Sequence, residues 1–230
     1  MTFLNHRAHA YKQLRGRGLE IGALHEPSPI PPGASVAYFD AIDQIEARRL
    51  FPEIEPGRFV PVTFKGDLDR DGLAQFSDGQ FSFVIITHVI EHLSNPIKAV
   101  GEVFRITAPG GCVILAIPDK EFTFDRHREP TSFEHLQADH RNGVCESDDA
   151  HYLDFLKSAA PHVFSEPAEN LQHHIRRARE RREHAHVWTS SSFKDFLDRT
   201  FELLGIRATL VLESLAAENR IECFTMWRKG

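Results

Sequence analysis

Two carboxylates and a glycine mark the first place where this chain could do chemistry. Glu20-Ile21-Gly22-Ala23 closes a short apolar stretch, and Asp40 follows Gly22 by eighteen positions. A glycine turn with a carboxylate at about that distance is the arrangement that accepts from both hydroxyls of a ribose. A second group, His88, Glu91, His92, Asp119 and Lys120, falls just after two nearly unbroken apolar runs at 83–86 and 112–117. A third lies further on, with His135 four residues before Asp139, and His186 well beyond them. An imidazole oriented by a carboxylate can take the proton of a hydroxyl. Asp119, His135 and His186 are therefore the candidates for acid–base work.

The residues around the first turn narrow the nucleotide. A dinucleotide site needs GxGxxG opening a helix whose first amides hold the pyrophosphate. Here Pro27, Pro29, Pro31 and Pro32 follow the turn, and prolines that dense forbid an ordinary helix. Glu20, Asp40 and Asp67 would also repel a pyrophosphate. They suit a ligand with ribose hydroxyls, an ammonium and a sulfonium charge, and S-adenosylmethionine is such a ligand.

These residues need a frame. The spacing predicts a short helix over 4–15, strands at 19–21, 36–39 and 59–63, a helix over 42–51 and a helical turn at 72–76. Asn95 stands as an N-cap with Pro96 at the first helical position. Leu93, Ile97, Val100 and Phe104 then recur at helical spacing until Pro109-Gly110-Gly111 stops the helix. With its flanking runs this reads as a strand–helix–strand crossover in a parallel sheet buried on both faces. Ligands of such sheets sit outside the carboxyl ends of the strands, where His88 and Asp119 fall. A helix over 191–197 and an antiparallel pair at 201–212 and 220–227 close the chain. Residues 120–187 show no strand pattern and are too long for a plain connection, which predicts a helical cap over the site. The expected fold is a Rossmann-like, doubly wound α/β fold. Its mostly parallel seven-stranded sheet ends in a C-terminal antiparallel hairpin. It forms one domain over 1–230, with the cap at 120–187 inserted after strand five.

The central block resembles that of class I S-adenosylmethionine-dependent methyltransferases, which reads roughly FDxVxxxHVLEHxxxPxxALxEVxRVLxPGGxxxxxxPD. This chain carries Phe81, Val84, His88-Val89-Ile90-Glu91-His92, Pro96, Glu102, Arg105 and Pro109-Gly110-Gly111 in matching places. More loosely, LEIGAL at 19–24, PDKEFTFD at 118–125, TSFEHL at 131–136 and HVWT at 186–189 resemble methyltransferase-domain proteins linked to bacterial cell-surface polysaccharide pathways. The resemblance implies S-adenosylmethionine as cofactor. It would place Glu20, Gly22 and Ala23 under the methionine part and Asp40 on the ribose hydroxyls. Asp67 with Leu68 would meet the adenine edge, and His88 the methionine end. One departure stands out, because Leu24 and Glu26 occupy positions where the family's first motif carries further glycines.

Composition sets outer bounds. The formal net charge of −6 over 230 residues argues against general nucleic-acid affinity. The position after the fourth strand, Thr87-His88-Val89-Ile90, also lacks the Asn-Pro-Pro-Tyr type of motif of base methyltransferases. No apolar run reaches membrane-spanning length and the N-terminus lacks a signal-peptide core, so a cytoplasmic protein without membrane insertion is expected. Cys112, Cys145 and Cys223 are widely spaced, the first and last in strands. His173-His174 and His184 with His186 form no recognised zinc spacing, so no metal is expected. Arg176, Arg177, Arg179, Arg181 and Arg182 crowd a helix expected over 168–184. Such a run is ordinarily a solvated face, though in a cap it could meet an anionic acceptor such as a sugar nucleotide. The activity expected is methyl transfer to a small-molecule acceptor, a hydroxyl of a sugar or glycoconjugate precursor. A quinone or phenolic acceptor, or a binding module without catalysis, stands as the alternative. Oligomeric state is not encoded in any of these patterns.

Overall fold

In the computed structural model, which describes residues 5–230, the apolar runs gather into a single sheet. Its strands are β1 (Gly16–Ile21), β2 (Ala34–Asp40), β3 (Phe64–Lys65), β4 (Phe81–Thr87), β5 (Thr107–Pro118), β6 (Ala208–Ser214) and β7 (Glu222–Lys229). They lie in the order β3-β2-β1-β4-β5-β7-β6. Strands β1 to β5 are parallel, and β7 runs antiparallel between β5 and β6. This is the Rossmann-like arrangement expected from the sequence. Among the described residues no helix is long and apolar enough to cross a membrane.

Alternation along β4 shows why its residues are almost all apolar. Val84 and Ile86 enter a core shared with α3 (Pro96–Ile106) and α7 (Ser190–Leu204). Phe83 and Ile85 point the other way, into a core with Ala10, Tyr11 and Leu14 at and just beyond α1 (Asn5–Tyr11). A strand covered on both faces has no side on which to carry polar residues. The crossover helix starts as its sequence dictates, with Asn95 Oδ1 accepting from Lys98 N at 2.9 Å and Pro96 next in line.

Several boundaries differ from the sequence reading. The helix at the N-terminus ends at Tyr11, and its expected first residue, Leu4, lies outside the described residues. The strand expected at 59–63 is not one. Val60 N donates instead to Leu24 O at 2.8 Å and Thr63 N to Tyr38 O at 2.8 Å. Pro61 has no N–H for a ladder, so pairing with β2 begins only at Phe64. Residues 72–76 form hydrogen-bonded turns in which Leu73 and Phe76 are buried. Helix α3 stops at Ile106, and Pro109-Gly110-Gly111 lies within β5, where the ladder to β4 slips between Phe81 and Phe83. Proline in a strand is tolerated at such a bulge. Helix α7 continues to Leu204, where Gly205 caps it in a left-handed conformation, so the hairpin begins later than expected.

Residues 120–187 contain α4 (Phe133–Asn142), α5 (Asp149–Ala159), α6 (Ala168–Arg181) and short 3₁₀ turns. They hold a small core of their own from Tyr152, Phe155, Leu156, Val163, Ile175 and Ala178. Buried Arg128 fastens this region. It pairs with Asp125 at 2.9 Å and Asp154 at 2.7 Å, and donates to the carbonyls of His184 and Ala185, both at 3.0 Å. Two more α-helices complete the elements of the described residues, α2 (Gln44–Leu50) and α8 (Ala216–Asn219).

Candidate active site

The carboxyl ends of β1, β2 and β4 meet at a cleft of about 230 Å³, with residues 180–183 at the end of α6 forming its far wall. Gly22 lies at its base with φ +69°, and a Cβ there would stand 2.4 Å from Val89 Cγ2. Glycine takes that backbone without strain, and its missing Cβ lets Val89 pack so closely. Leu24 is also left-handed, at φ +43°, and lines the cleft. A leucine held there costs on the order of 1 kcal/mol. It stands where the methyltransferase motif carries a glycine, and the hydrogen bond from Val60 N holds its carbonyl in place.

Glu20 is buried and does not line the cleft. Its oxygens accept from Ser28 N at 3.0 and 3.2 Å, and from the Ser28 hydroxyl at 2.7 Å. Burial raises its carboxyl above the ordinary range, against the pull of those hydrogen bonds. Glu20 thus ties the proline-rich loop to β1 where a helix would otherwise follow. Ala23 is likewise not part of the cleft wall. Asp40, at the end of β2, does line it. It accepts from Ile42 N at 3.2 Å and forms no ion pair among the described residues, and burial raises its carboxyl. Leu68 is buried on the same wall. Asp67 is engaged elsewhere, with both oxygens taking the Arg182 guanidinium and Oδ1 also accepting from Asp69 N at 3.0 Å. Burial alone would raise the Asp67 carboxyl, but Arg182 more than offsets that and holds it below its ordinary value.

His88 sits at the tip of β4 with φ +56°, its N–H donating to Ala116 O at 2.9 Å. Its Nε2 lies 2.6 Å from Glu222 Oε2, and Nδ1 is 3.7 Å from Glu91 Oε1. Glu222 is fully buried at the start of β7 and also binds His6 at 2.6 Å and the Arg7 guanidinium. Burial would raise its carboxyl, yet the hydrogen bonds from His88 and Arg7 hold it well below the usual carboxylate range. Beside His88, buried Glu91 has neither oxygen hydrogen-bonded, and burial raises its carboxyl. His92 lines the cleft and its Nδ1 donates to Arg182 O at 2.5 Å. Burial and neighbouring His184 push its pKa down to about 3, so it is neutral. His184 is held by Asp125 at 2.5 Å.

The three residues expected to do acid–base work are not on this cleft. Asp119 is buried and spent on structure, accepting from Ser190 N at 2.6 Å, Ser190 Oγ at 2.7 Å and Glu121 N at 3.0 Å. It ties the end of β5 to the start of α7. His135 is exposed on α4 and meets Asp139 at 3.2 Å, the pairing the sequence suggested, but at a distance from the cleft wall. His186 is buried in another cluster. Sequence reasoning missed Glu222 and Arg7, and named Arg182 only as part of the arginine cluster of the cap, not as the partner of Asp67. Glu222 lies 134 residues from His88; the only available signal was an acidic residue heading an apolar strand.

The cleft fits an adenosine-containing ligand. Asp40 offers a carboxylate that forms no ion pair among the described residues, with apolar Ile42, Leu50 and Leu68 alongside. No helix N-terminus follows Gly22 to cradle a pyrophosphate. The profile of a family described as a methyltransferase domain matches residues 4–200. The chain belongs to that family. It is accordingly an S-adenosylmethionine-dependent methyltransferase domain, with S-adenosylmethionine as its cofactor. No curated protein matches the chain. Among solved structures, a putative Zn-dependent alcohol dehydrogenase from Rhodobacter sphaeroides aligns over 100% of this chain and 90% of its own at 12% identity, with a TM-score of 0.56. At that identity the likeness shows the fold alone. The CurJ carbon methyltransferase aligns at 14% identity over 97% of this chain and 52% of its own, TM-score 0.48. The trans-methyltransferase CalH in complex with SAH aligns at 17% over 99% and 54%, TM-score 0.47. The methyltransferase domain thus spans about half the length of the CurJ and CalH chains it matches.

Proposed function

We propose that this domain methylates a hydroxyl of a small polar acceptor, such as a sugar or glycoconjugate precursor of the kind used in cell-surface polysaccharide synthesis. The observation that carries this reading is His88. Among the described residues it is the imidazole that both lines the cleft and is hydrogen-bonded to a buried carboxylate. If Nε2–H donates to Glu222, Nδ1 is left to receive the acceptor's proton, and Glu91 nearby stabilises the imidazolium that results. Glu222 positions the ring and fixes its tautomer. The bound cofactor supplies an electrophilic methyl group. Asp40 takes the ribose hydroxyls, Ile42 and Leu68 flank the adenine, and Gly22 with Ala23 lets the chain approach the methionine part. Glu20 and Asp67 act one step back, by holding the proline-rich loop and Arg182. A hydrogen-bonding acceptor is favoured by the polar side chains of His88, His92 and Glu183 on the cleft, which offer partners to hydroxyls rather than an apolar wall.

A groove supports a more specific acceptor. Arg49, His173, Arg176 and Arg177 line a space of about 310 Å³ that shares Leu50, Glu180 and Arg181 with the cleft. The phosphates of a sugar nucleotide would lie there. Reversing Arg176 and Arg177 to glutamate would then weaken acceptor binding at least tenfold and flatten its salt dependence; an unchanged KM would remove the anionic acceptor.

Calorimetric titration with S-adenosylhomocysteine is the direct test. Micromolar binding that Asp40→Ala weakens at least tenfold supports the ribose assignment, since a hydrogen bond to a charged group contributes about 1.5–3 kcal/mol. Equal affinity in the variant would overturn it. His88→Gln should lower kcat on an accepted substrate by about 10²-fold or more while leaving that affinity intact. Binding without turnover on any hydroxyl, phenol or quinone acceptor would instead favour a binding module.

A further inference from the structure

We propose that His135, His151 and His186 form a site for one divalent transition-metal ion, zinc by ligand type, joining α4, α5 and the segment that returns to the sheet. Each residue offers a ring nitrogen, and the three nitrogens lie within 4.8 Å of one another. Nε2 of His135 and Nε2 of His151 are 3.1 Å apart. Ligands about 2.0–2.1 Å from a tetrahedral zinc are separated by roughly 3.3 Å, so this pair already has close to the required spacing. The three rings converge, with centroids 5.2, 5.7 and 5.2 Å apart.

Independent features point to a cation there. His186 is only 1% exposed, and neither of its ring nitrogens makes a well-formed hydrogen bond, the backbone of Ser94 offering only a marginal contact. An unsatisfied buried polar group of this kind is destabilising, and a metal bond would satisfy one of its two nitrogens. His151 Nδ1 lies 2.8 Å from Asp148 Oδ1. A carboxylate behind the ring in this way fixes the tautomer with Nε2 as the free lone pair, the usual outer-shell arrangement of a metal-bound histidine. A proton shared between His135 and His151 would satisfy those two rings and still leave His186 without a well-formed hydrogen bond. Asp139 Oδ2 lies 3.2 Å from His135 Nε2 and would give up that contact to a bound ion. His135 is 42% exposed, which gives an ion a way in. The spacing of the three histidines along the chain matches no zinc motif, and α4 and α5 bring them together only in the folded cap.

A second convergence, Glu91, His92 and His184, borders the cleft already described. There Nδ1 of His92 and Nδ1 of His184 are committed to Arg182 O and Asp125. It serves as the control.

The test is to strip the 230-residue chain with chelator and titrate it with Co²⁺ and then Zn²⁺, neither with cofactor present. The expected result is one equivalent of Co²⁺ with the intense visible bands of four-coordinate cobalt, displaced by Zn²⁺, and a raised thermal midpoint. His135→Gln, at an exposed position that should keep the fold, and His151→Gln should each weaken binding at least tenfold. His92→Gln and His173→Gln should leave it unchanged. Absent bands, binding weaker than about 100 µM, or binding that survives His135→Gln and His151→Gln would overturn the proposal. So would loss of binding in His92→Gln or His173→Gln alone, which would place the ion elsewhere. The readout involves neither cofactor nor acceptor, so its failure is distinct from failure of the methyl-transfer reading.

Discussion

Gly22 and His88 flank the cleft in the same left-handed backbone region, for different reasons. Gly22 makes room for Val89. Gly22→Ala combines a left-handed alanine, costing about 1–2 kcal/mol, with a 2.4 Å approach to Val89 Cγ2. Thermal denaturation should show a loss of at least that size, and S-adenosylhomocysteine affinity should fall with it; an unchanged midpoint would mean the loop relaxes freely. His88 has no such steric reason for its φ of +56°, and an unfavourable backbone is kept only where its surroundings over-determine it. Here the hydrogen bonds to Ala116 O and Glu222 do so. The types of Gly22, Asp40 and His88 and their places at strand ends were legible in the sequence. Their partners were not, because burial and pairing at 222, 182 and 28 depend on chain segments far away in sequence.

Elements show how the frame was readable where a local rule acts and unreadable where a distant contact does. The crossover helix starts at Asn95 because a side-chain oxygen can satisfy a first-turn N–H, a rule that needs no tertiary context. Asn95 does more in the fold, with Nδ2 3.4 Å from Val144 O and Oδ1 3.2 Å from His140 Nδ1. Asn95→Ala should therefore destabilise by about 1–2 kcal/mol, the upper part of the range for a cap, read as a lower denaturation midpoint. Asp119 is the opposite case. Its place at the end of β5 suggested a base, whereas the structure spends it on Ser190 and the start of α7. Asp119→Asn should cost stability of about 1–2 kcal/mol and leave kcat of the folded enzyme unchanged. A large fall in kcat at constant stability would restore the catalytic reading. The strand at 59–63 failed for a similar reason, since its donors are used by Leu24 and Tyr38 rather than by a ladder.

At the scale of the whole molecule, Glu222 joins three distant parts of the chain, binding His6 and Arg7 of α1 and His88 just past β4 from the start of β7. Removing one partner of a buried ion pair costs about 3–5 kcal/mol, so Glu222→Gln should lower stability at neutral pH by roughly that amount. Its carboxyl is held below its ordinary value of 4.5, so its contribution is present in full above about pH 4.5 and is lost as the pH falls toward the folded value. The gap between wild type and Glu222→Gln should therefore close on acidification, measured by denaturation at stepped pH; a gap that widens would contradict the assignment. By itself the sequence determined the doubly wound sheet, the crossover, the cofactor class and the residues at the strand ends. The sheet and the crossover follow from periodicity, caps and turns, which act over a few residues. The cofactor class follows from the charges around the first turn and the resemblance of the central block. Only the tertiary structure decided that Glu222 backs His88, that Arg182 takes Asp67, that Glu20 holds the loop, and that His135 and His186 meet His151 away from the cleft. Each of these is a pairing between groups that the local pattern leaves independent, and it exists only once long-range packing has removed water from between them.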